Sequence, residues 1–150
     1  MADLFLKGRI MFGGEESACV AVKDHLPEKD GIFAGLLVAE MIAAAGRSLT
    51  SLRRDLFEAY GPATSGQRTL ALTPERAKRL KALVQDPPAK LGRRKVLAVE
   101  TIDGLKLDLE ADRWLVVRQS GTEPLIRCYA EAETPEEVEA ILRKGLEAVR

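Results

Sequence analysis

From Ile32 to Ala45 the apolar positions run almost without a break, through Ile32, Phe33, Leu36, Leu37, Val38, Met41 and Ile42. A helix apolar on every side is expected to be buried on most of them. Asp30 stands where an N-cap side chain accepts the first amides, and Gly46 where a left-handed residue closes the C-terminus. A second helix is expected after a cap at Ser48 or Thr50, with Leu49, Leu52, Leu56 and Phe57 along one face, ending at Tyr60-Gly61-Pro62. Ahead of both, Asp3 to Lys7 reads as a frayed helix end stopped by Gly8, and Arg9 to Phe12 as a short strand. A polar loop is expected from Asp24 to Gly31.

Beyond Gly61 the pattern shifts toward a period of two. Gly-Pro-Ala-Thr-Ser-Gly at 61–66 reads as a linker, rich in breakers and small residues. A strand is expected near Gln67 to Leu72, then a helix opened by Thr73-Pro74-Glu75, running to about Gln85 and stopped by Asp86-Pro87-Pro88. Lys95 to Glu100, a turn at Ile102-Asp103-Gly104 and the alternating Leu105 to Leu109 make a hairpin. Trp114 to Val117 and Leu125 to Ala132 add two strands, and Trp114 is expected to anchor the core. Thr134-Pro135-Glu136-Glu137 is a capping box for a last helix with Val138, Ile141, Leu142 and Val149 on one face.

These elements predict two parts of different class. From Gln67 onward the order is strand, helix, three or four strands, helix, which is an α+β domain with a mainly antiparallel sheet and helices on one face. The earlier part offers one strand and two apolar helices that cannot cover themselves. It reads as the C-terminal tail of a truncated α/β/α domain, with the missing strands upstream of Met1. The expected boundaries are 1–61 for the first part, 62–66 for the linker and 67–150 for the second.

Composition narrows the function classes. The chain has 150 residues and balances 23 basic against 23 acidic side chains, so no overall field favours nucleic acid or a membrane surface. An apolar content of 46% suits a folded domain. No apolar run reaches spanning length, and Cys19 and Cys128 stand in no metal-ligand spacing, so both are expected to be reduced thiols in a cytoplasmic protein. The absence of Asn points to a thermophilic source. An RNA-binding domain is disfavoured by the neutral charge and by the lack of an aromatic pair marking a base-stacking sheet.

Three places carry candidate chemistry. Arg118-Gln119-Ser120-Gly121-Thr122-Glu123-Pro124-Leu125-Ile126-Arg127 places two guanidinium groups, two hydroxyls and a glycine between two strands. Arginine forks bind phosphate oxygens bidentately, and hydroxyls with loop amides fill the remaining acceptor positions. A plain hairpin turn with surface arginines has the same composition; the clustering within ten positions favours an anion site. Gly14-Glu15-Glu16-Ser17 lies where a strand ends. Glu15 and Ser17, two apart in an extended segment, point to one side and suit vicinal sugar hydroxyls, although ordinary loop composition is also met. Lys29 precedes an Asp-Gly helix start, which leaves it either a solvated lysine or a proton-shuttling amine. His25 reads as a loop residue, and Lys90, Arg93, Arg94 and Lys95 as a solvated, salt-bridged face.

With these loops in view, the chain resembles the C-terminal part of an α-D-phosphohexomutase of the phosphoglucomutase/phosphomannomutase family. Arg118 to Pro124, with Arg127 and Tyr129, is similar to that family's phosphate-binding loop. Gly14-Glu15-Glu16-Ser17-Ala18 is similar to its sugar-recognition loop, and Glu28-Lys29-Asp30-Gly31 leans toward the phosphoglucomutase branch. Ala18 and Cys19 stand where some members carry Gly-His, which puts a histidine contribution at that point in doubt. The resemblance implies an intramolecular phosphotransferase interconverting hexose 1-phosphate and hexose 6-phosphate. Arg118, Ser120, Gly121, Thr122 and Arg127 would hold the phosphate that is not transferred. Glu15 and Ser17 would hold two sugar hydroxyls, and Lys29 is the candidate general acid/base. The complete enzyme would need Mg2+, bound elsewhere than in this chain, and a hexose bisphosphate activator. The chain has no serine-rich nucleophile segment and no Asp-x-Asp-x-Asp run. It therefore reads as an incomplete, inactive portion whose partners are a phosphosugar and the missing N-terminal domains, with self-association through exposed apolar faces. A stand-alone phosphosugar-binding module is the alternative. Glucose and mannose are not distinguished, since both offer hydroxyls to the same Glu/Ser pair.

Overall fold

The computed structural model describes residues 2–14, 20–26 and 28–150. The chain separates into two compact units, residues 1–56 and 57–150, each with its own internal packing.

The first unit holds a short helix α1 (Ala2–Leu6), strands β1 (Phe12–Gly14) and β2 (Val20–Val22), helix α2 (Gly31–Ala45) and most of α3 (Leu49–Tyr60). β1 and β2 form an antiparallel ribbon with Gly13 opposite Ala21. The first strand therefore lies later than Arg9 to Phe12, and β2 was not foreseen, because three residues are too few to show a period. α2 forms between the expected caps. Asp30 accepts from the amides of Ile32 (3.0 Å) and Phe33 (2.9 Å), and Gly46 adopts φ +61°. Ser48, not Thr50, caps α3, its Oγ accepting from the Ser51 amide at 3.3 Å.

The expectation that α2 is buried on most sides is corrected. Only Ala21 and Ala34 are buried among the unit's described residues, while Ile32 is 81% and Leu36 63% exposed. Within the unit, a two-stranded ribbon is too small a surface to cover an all-apolar helix. No single described helix is long and apolar enough to cross a membrane.

The second unit carries a six-stranded sheet. Its strands are β3 (Thr64–Ala71), β4 (Lys90–Leu91), β5 (Arg94–Glu100), β6 (Leu105–Leu109), β7 (Arg113–Gln119) and β8 (Leu125–Ala132), in the order β3-β8-β7-β6-β5-β4. Every neighbouring pair is antiparallel. β3 begins three residues earlier than expected, with Thr64 already opposite Ala132.

One face of this sheet is apolar by strict alternation. Leu105, Leu107 and Leu109 on β6, Leu115 and Val117 on β7, and Ile126, Cys128, Ala130 and Ala132 on β8 are all buried. Helix α5 (Pro135–Val149) lays Val138, Ile141, Leu142, Gly145 and Val149 onto them, and α4 (Pro74–Gln85) adds Leu80. Both helices start as the sequence indicates: Thr73 and Thr134 cap them ahead of a proline, each hydroxyl 3.3 Å from an amide three residues on.

The alternate residues of β7 and β8 face away from the helices. There the structure corrects the placement of Trp114: it lies outside the core, its indole N–H donating to Glu131 Oε1 at 3.1 Å. On β7 the inward positions belong to Leu115 and Val117, so the period of two assigns Trp114 to the opposite side.

Candidate functional site

The β7–β8 loop, Ser120 to Pro124, is fixed at its base. The Ser120 amide donates to the Leu125 carbonyl at 2.8 Å, and the Leu125 amide to the Glu123 carbonyl at 2.8 Å. The Leu72 amide donates to the Pro124 carbonyl at 2.8 Å, which ties the loop to the junction between β3 and α4. Ser120 is buried, while Gly121, Thr122 and Glu123 are exposed. The hydroxyls of Ser120 and Thr122 and the amides of Gly121 and Thr122 take no partner among the described residues. The space a side chain would fill at Gly121 is open.

Arg118 and Arg127 flank this loop as direct cross-strand partners. The sheet alternation puts both on the face away from the helices, together with Tyr129. Arg118 Nη1 donates to Asp103 Oδ2 at 3.2 Å, and its guanidinium carbon lies 5.9 Å from the centre of the Tyr129 ring. Arg127 is paired with the Glu123 carboxylate. Its pKa is raised first by the Tyr129 hydroxyl and then by Glu123. Tyr129 Oη is nevertheless buried without a hydrogen bond of acceptable geometry. The site thus gathers Arg118, Ser120, Gly121, Thr122 and Arg127 at one end of one strand pair, with hydroxyl and amide donors between two cations. An arrangement of this kind can bind a tetrahedral anion.

Sequence reasoning missed Asp103 and Glu123 as the carboxylates that hold the two arginines. Glu123 could have been found from its place four residues before Arg127. Asp103 could not, since only the sheet register brings the β5–β6 turn beside Arg118.

In the first unit, Lys29 is exposed directly ahead of the α2 cap. His25, read as a plain loop residue, folds this loop: its Nε2 lies 3.1 Å from Asp30 Oδ2, and its ring stacks on Phe33 at 4.1 Å. The Asp30 carboxyl is held below its ordinary value, first by the Phe33 amide and then by His25. The sugar-binding candidates Glu15 and Ser17 lie outside the described residues. Among the described residues, no group of three or more His, Cys, Asp or Glu side chains is placed to hold a metal ion.

The comparisons with known proteins agree with both units. Residues 1–60 match the family model described as phosphoglucomutase/phosphomannomutase, alpha/beta/alpha domain III, and residues 72–147 match that of the C-terminal domain of the same family. A phosphoglucomutase/phosphomannomutase of Thermococcus kodakarensis is 30% identical over 97% of this chain and 30% of its own length. A phosphoglucosamine mutase of Methanococcus aeolicus is 35% identical over 93% of this chain and 29% of its own. A solved structure of a candidate phosphomannomutase from Thermus thermophilus is 33% identical, with a TM-score of 0.71 over 99% of this chain and 28% of that one. The chain spans about 30% of the length of the relatives it matches. Two matching models in the family's own order cover nearly all of the sequence, and on that ground the chain belongs to the phosphoglucomutase/phosphomannomutase family.

Proposed function

We propose that this chain is the substrate-holding C-terminal portion of a phosphohexomutase that interconverts hexose 1-phosphate and hexose 6-phosphate. The observation that carries the reading is the β7–β8 loop with Arg118 and Arg127 opposite each other beside it. In this reading the two arginines, the Ser120 and Thr122 hydroxyls and the Gly121 and Thr122 amides grip the phosphate that stays on the sugar. Held there, the sugar presents its other end to the transferring centre, and positioning of this kind is a large part of phosphoryl-transfer catalysis.

Glu15 and Ser17 are proposed to hold two sugar hydroxyls. Lys29 is proposed as the general acid/base, taking the proton of the accepting hydroxyl and returning it to the leaving oxygen. A nucleophile, magnesium and a hexose bisphosphate are proposed as requirements of the complete enzyme. The names of the relatives extend the candidate sugars to glucosamine as well as glucose and mannose.

The test is to titrate glucose 6-phosphate, mannose 6-phosphate and glucosamine 6-phosphate against the amide resonances of Ser120 to Thr122, with the free sugars alongside. All three phosphates are expected to shift these amides and the free sugars to leave them unmoved. The purified chain supplied with magnesium and a bisphosphate is expected to show no interconversion. Shifts confined to other residues, or turnover by the chain alone, would contradict the reading.

A further inference from the structure

We propose that Asp103, in the turn between β5 and β6, is a positioning residue of the anion site, presetting the Arg118 fork for a phosphate that Asp103 does not touch. The inference rests on reading the β7–β8 loop as a phosphate cradle.

The Arg118 side chain makes a single hydrogen bond among the described residues, from Nη1 to Asp103 Oδ2 at 3.2 Å. The Tyr129 ring, 5.9 Å from the guanidinium carbon, meets it from β8. The two contacts come from elements on opposite sides of β7, so they fix the direction of the side chain, which is 32% exposed. The remaining guanidinium donors stay free for a ligand.

The turn is shaped to stand where it does. Gly104 adopts φ +93°, and a Cβ there would lie 2.5 Å from the Val117 carbonyl oxygen and 2.6 Å from Arg118 Cβ. Any other residue at 104 would be strained and would push the turn, and Asp103 with it, away from Arg118. Asp103 thus reaches Arg118 because glycine allows the turn to rest on its backbone.

Two effects of Asp103 oppose each other. Its charge repels an incoming phosphate, and its hydrogen bond restrains an arginine that otherwise has much rotamer freedom to lose. The carboxylate is 74% exposed, so water and salt screen its repulsion beyond first contact, whereas the restraint acts at contact. Positioning therefore outweighs repulsion. The margin is small, because exposed pairs couple weakly.

The experiment titrates inorganic phosphate into the full chain, reading the amides of Ser120 to Thr122 for the parent, Asp103→Ala, Arg118→Ala and the double variant. Arg93→Ala serves as an exposed control, and the thermal midpoint is measured for each. Asp103→Ala is expected to weaken binding about two- to fivefold at an unchanged midpoint. In the Arg118→Ala background the weakening is expected to vanish or turn into a slight tightening, which a general loosening of the fold would not produce. Equal or tighter binding by Asp103→Ala, or an undiminished effect without Arg118, overturns the positioning role alone. A parent with no saturable shift overturns the cradle reading and this inference with it.

Discussion

Arg118 on β7 stands directly opposite Arg127 on β8, and each is answered by a carboxylate: Asp103 for the first, Glu123 for the second. Like charges facing each other across a strand pair destabilise it by about 0.2–1 kcal/mol unless they are countered. The four side chains sum to zero charge, and a phosphate between the arginines would compete with Glu123 for Arg127 while meeting the Arg118 donors that Asp103 leaves free. Because both arginines are already countered, Arg127→Gln is expected to change stability by less than about 1 kcal/mol, while weakening phosphate binding. Chemical denaturation and a phosphate titration on the same sample check both halves. Loss of stability together with intact binding would mean that the pair serves the fold.

Two glycines predict opposite signs for one substitution. A Cβ at Gly145 on α5 would lie 2.9 Å from Cys128 Sγ and 2.9 Å from Leu115 Cδ1, so Gly145→Ala is expected to cost about 1–3 kcal/mol by overpacking. Gly35 inside α2 has nothing within 4 Å of that position, and Gly35→Ala is expected to stabilise its helix by up to about 1 kcal/mol. Hydrogen exchange in each variant's own unit measures the two effects.

The fold of the second unit was legible because its alternation is strict. β6 and β8 form within their expected bounds, and the Thr-Pro starts at Thr73 and Thr134 open the helices expected of them. β4 escaped notice because two residues, Lys90 and Leu91, show no period. Trp114 was misplaced because bulk suggested the core, whereas the register of β7 had already given the inward positions to Leu115 and Val117. At the site, the arginines and hydroxyls could be read from one local run. Asp103 acts through sheet pairing across fifteen residues, which no local pattern reveals.

The anchoring of α5 is expected to fail in acid. Glu137 receives Arg113 through two nitrogens, Nη2 at 2.6 Å and Nε at 3.0 Å, and Arg94 Nη2 at 3.2 Å. Arg113 first, and Arg94 after it, hold its carboxyl below the ordinary value of 4.5. A depressed carboxyl contributes stability above its unfolded pKa and loses it as pH falls through the lower folded value. Stability of the second unit should therefore drop below about pH 4.5, and Glu137→Gln should flatten that limb. An identical acid limb in the variant would assign the loss to other carboxyls.

The first unit is expected to self-associate and to exchange early. Ile32 (81%) and Leu36 (63%), one turn apart on α2, stand in water, and exposed apolar surface of this kind drives association. Ile32→Glu with Leu36→Lys should lower the sedimentation-derived mass toward one chain, and residues 1–60 should exchange before 67–150. Uniform protection in a concentration-independent monomer would contradict this.

The proposed anion site is tested most directly by titrating inorganic phosphate against the amides of Ser120 to Thr122 in the parent, Arg118→Ala, Arg118→Lys and Arg93→Ala. Each charge-assisted hydrogen bond lost with Arg118 removes about 1.5–3 kcal/mol, and lysine keeps the charge without the fork. The expected order of affinity is parent equal to Arg93→Ala, then Arg118→Lys, then Arg118→Ala. If Arg118→Ala binds like the parent while Arg93→Ala fails, the phosphate sits at the basic cluster beside β4 and not at the β7–β8 loop.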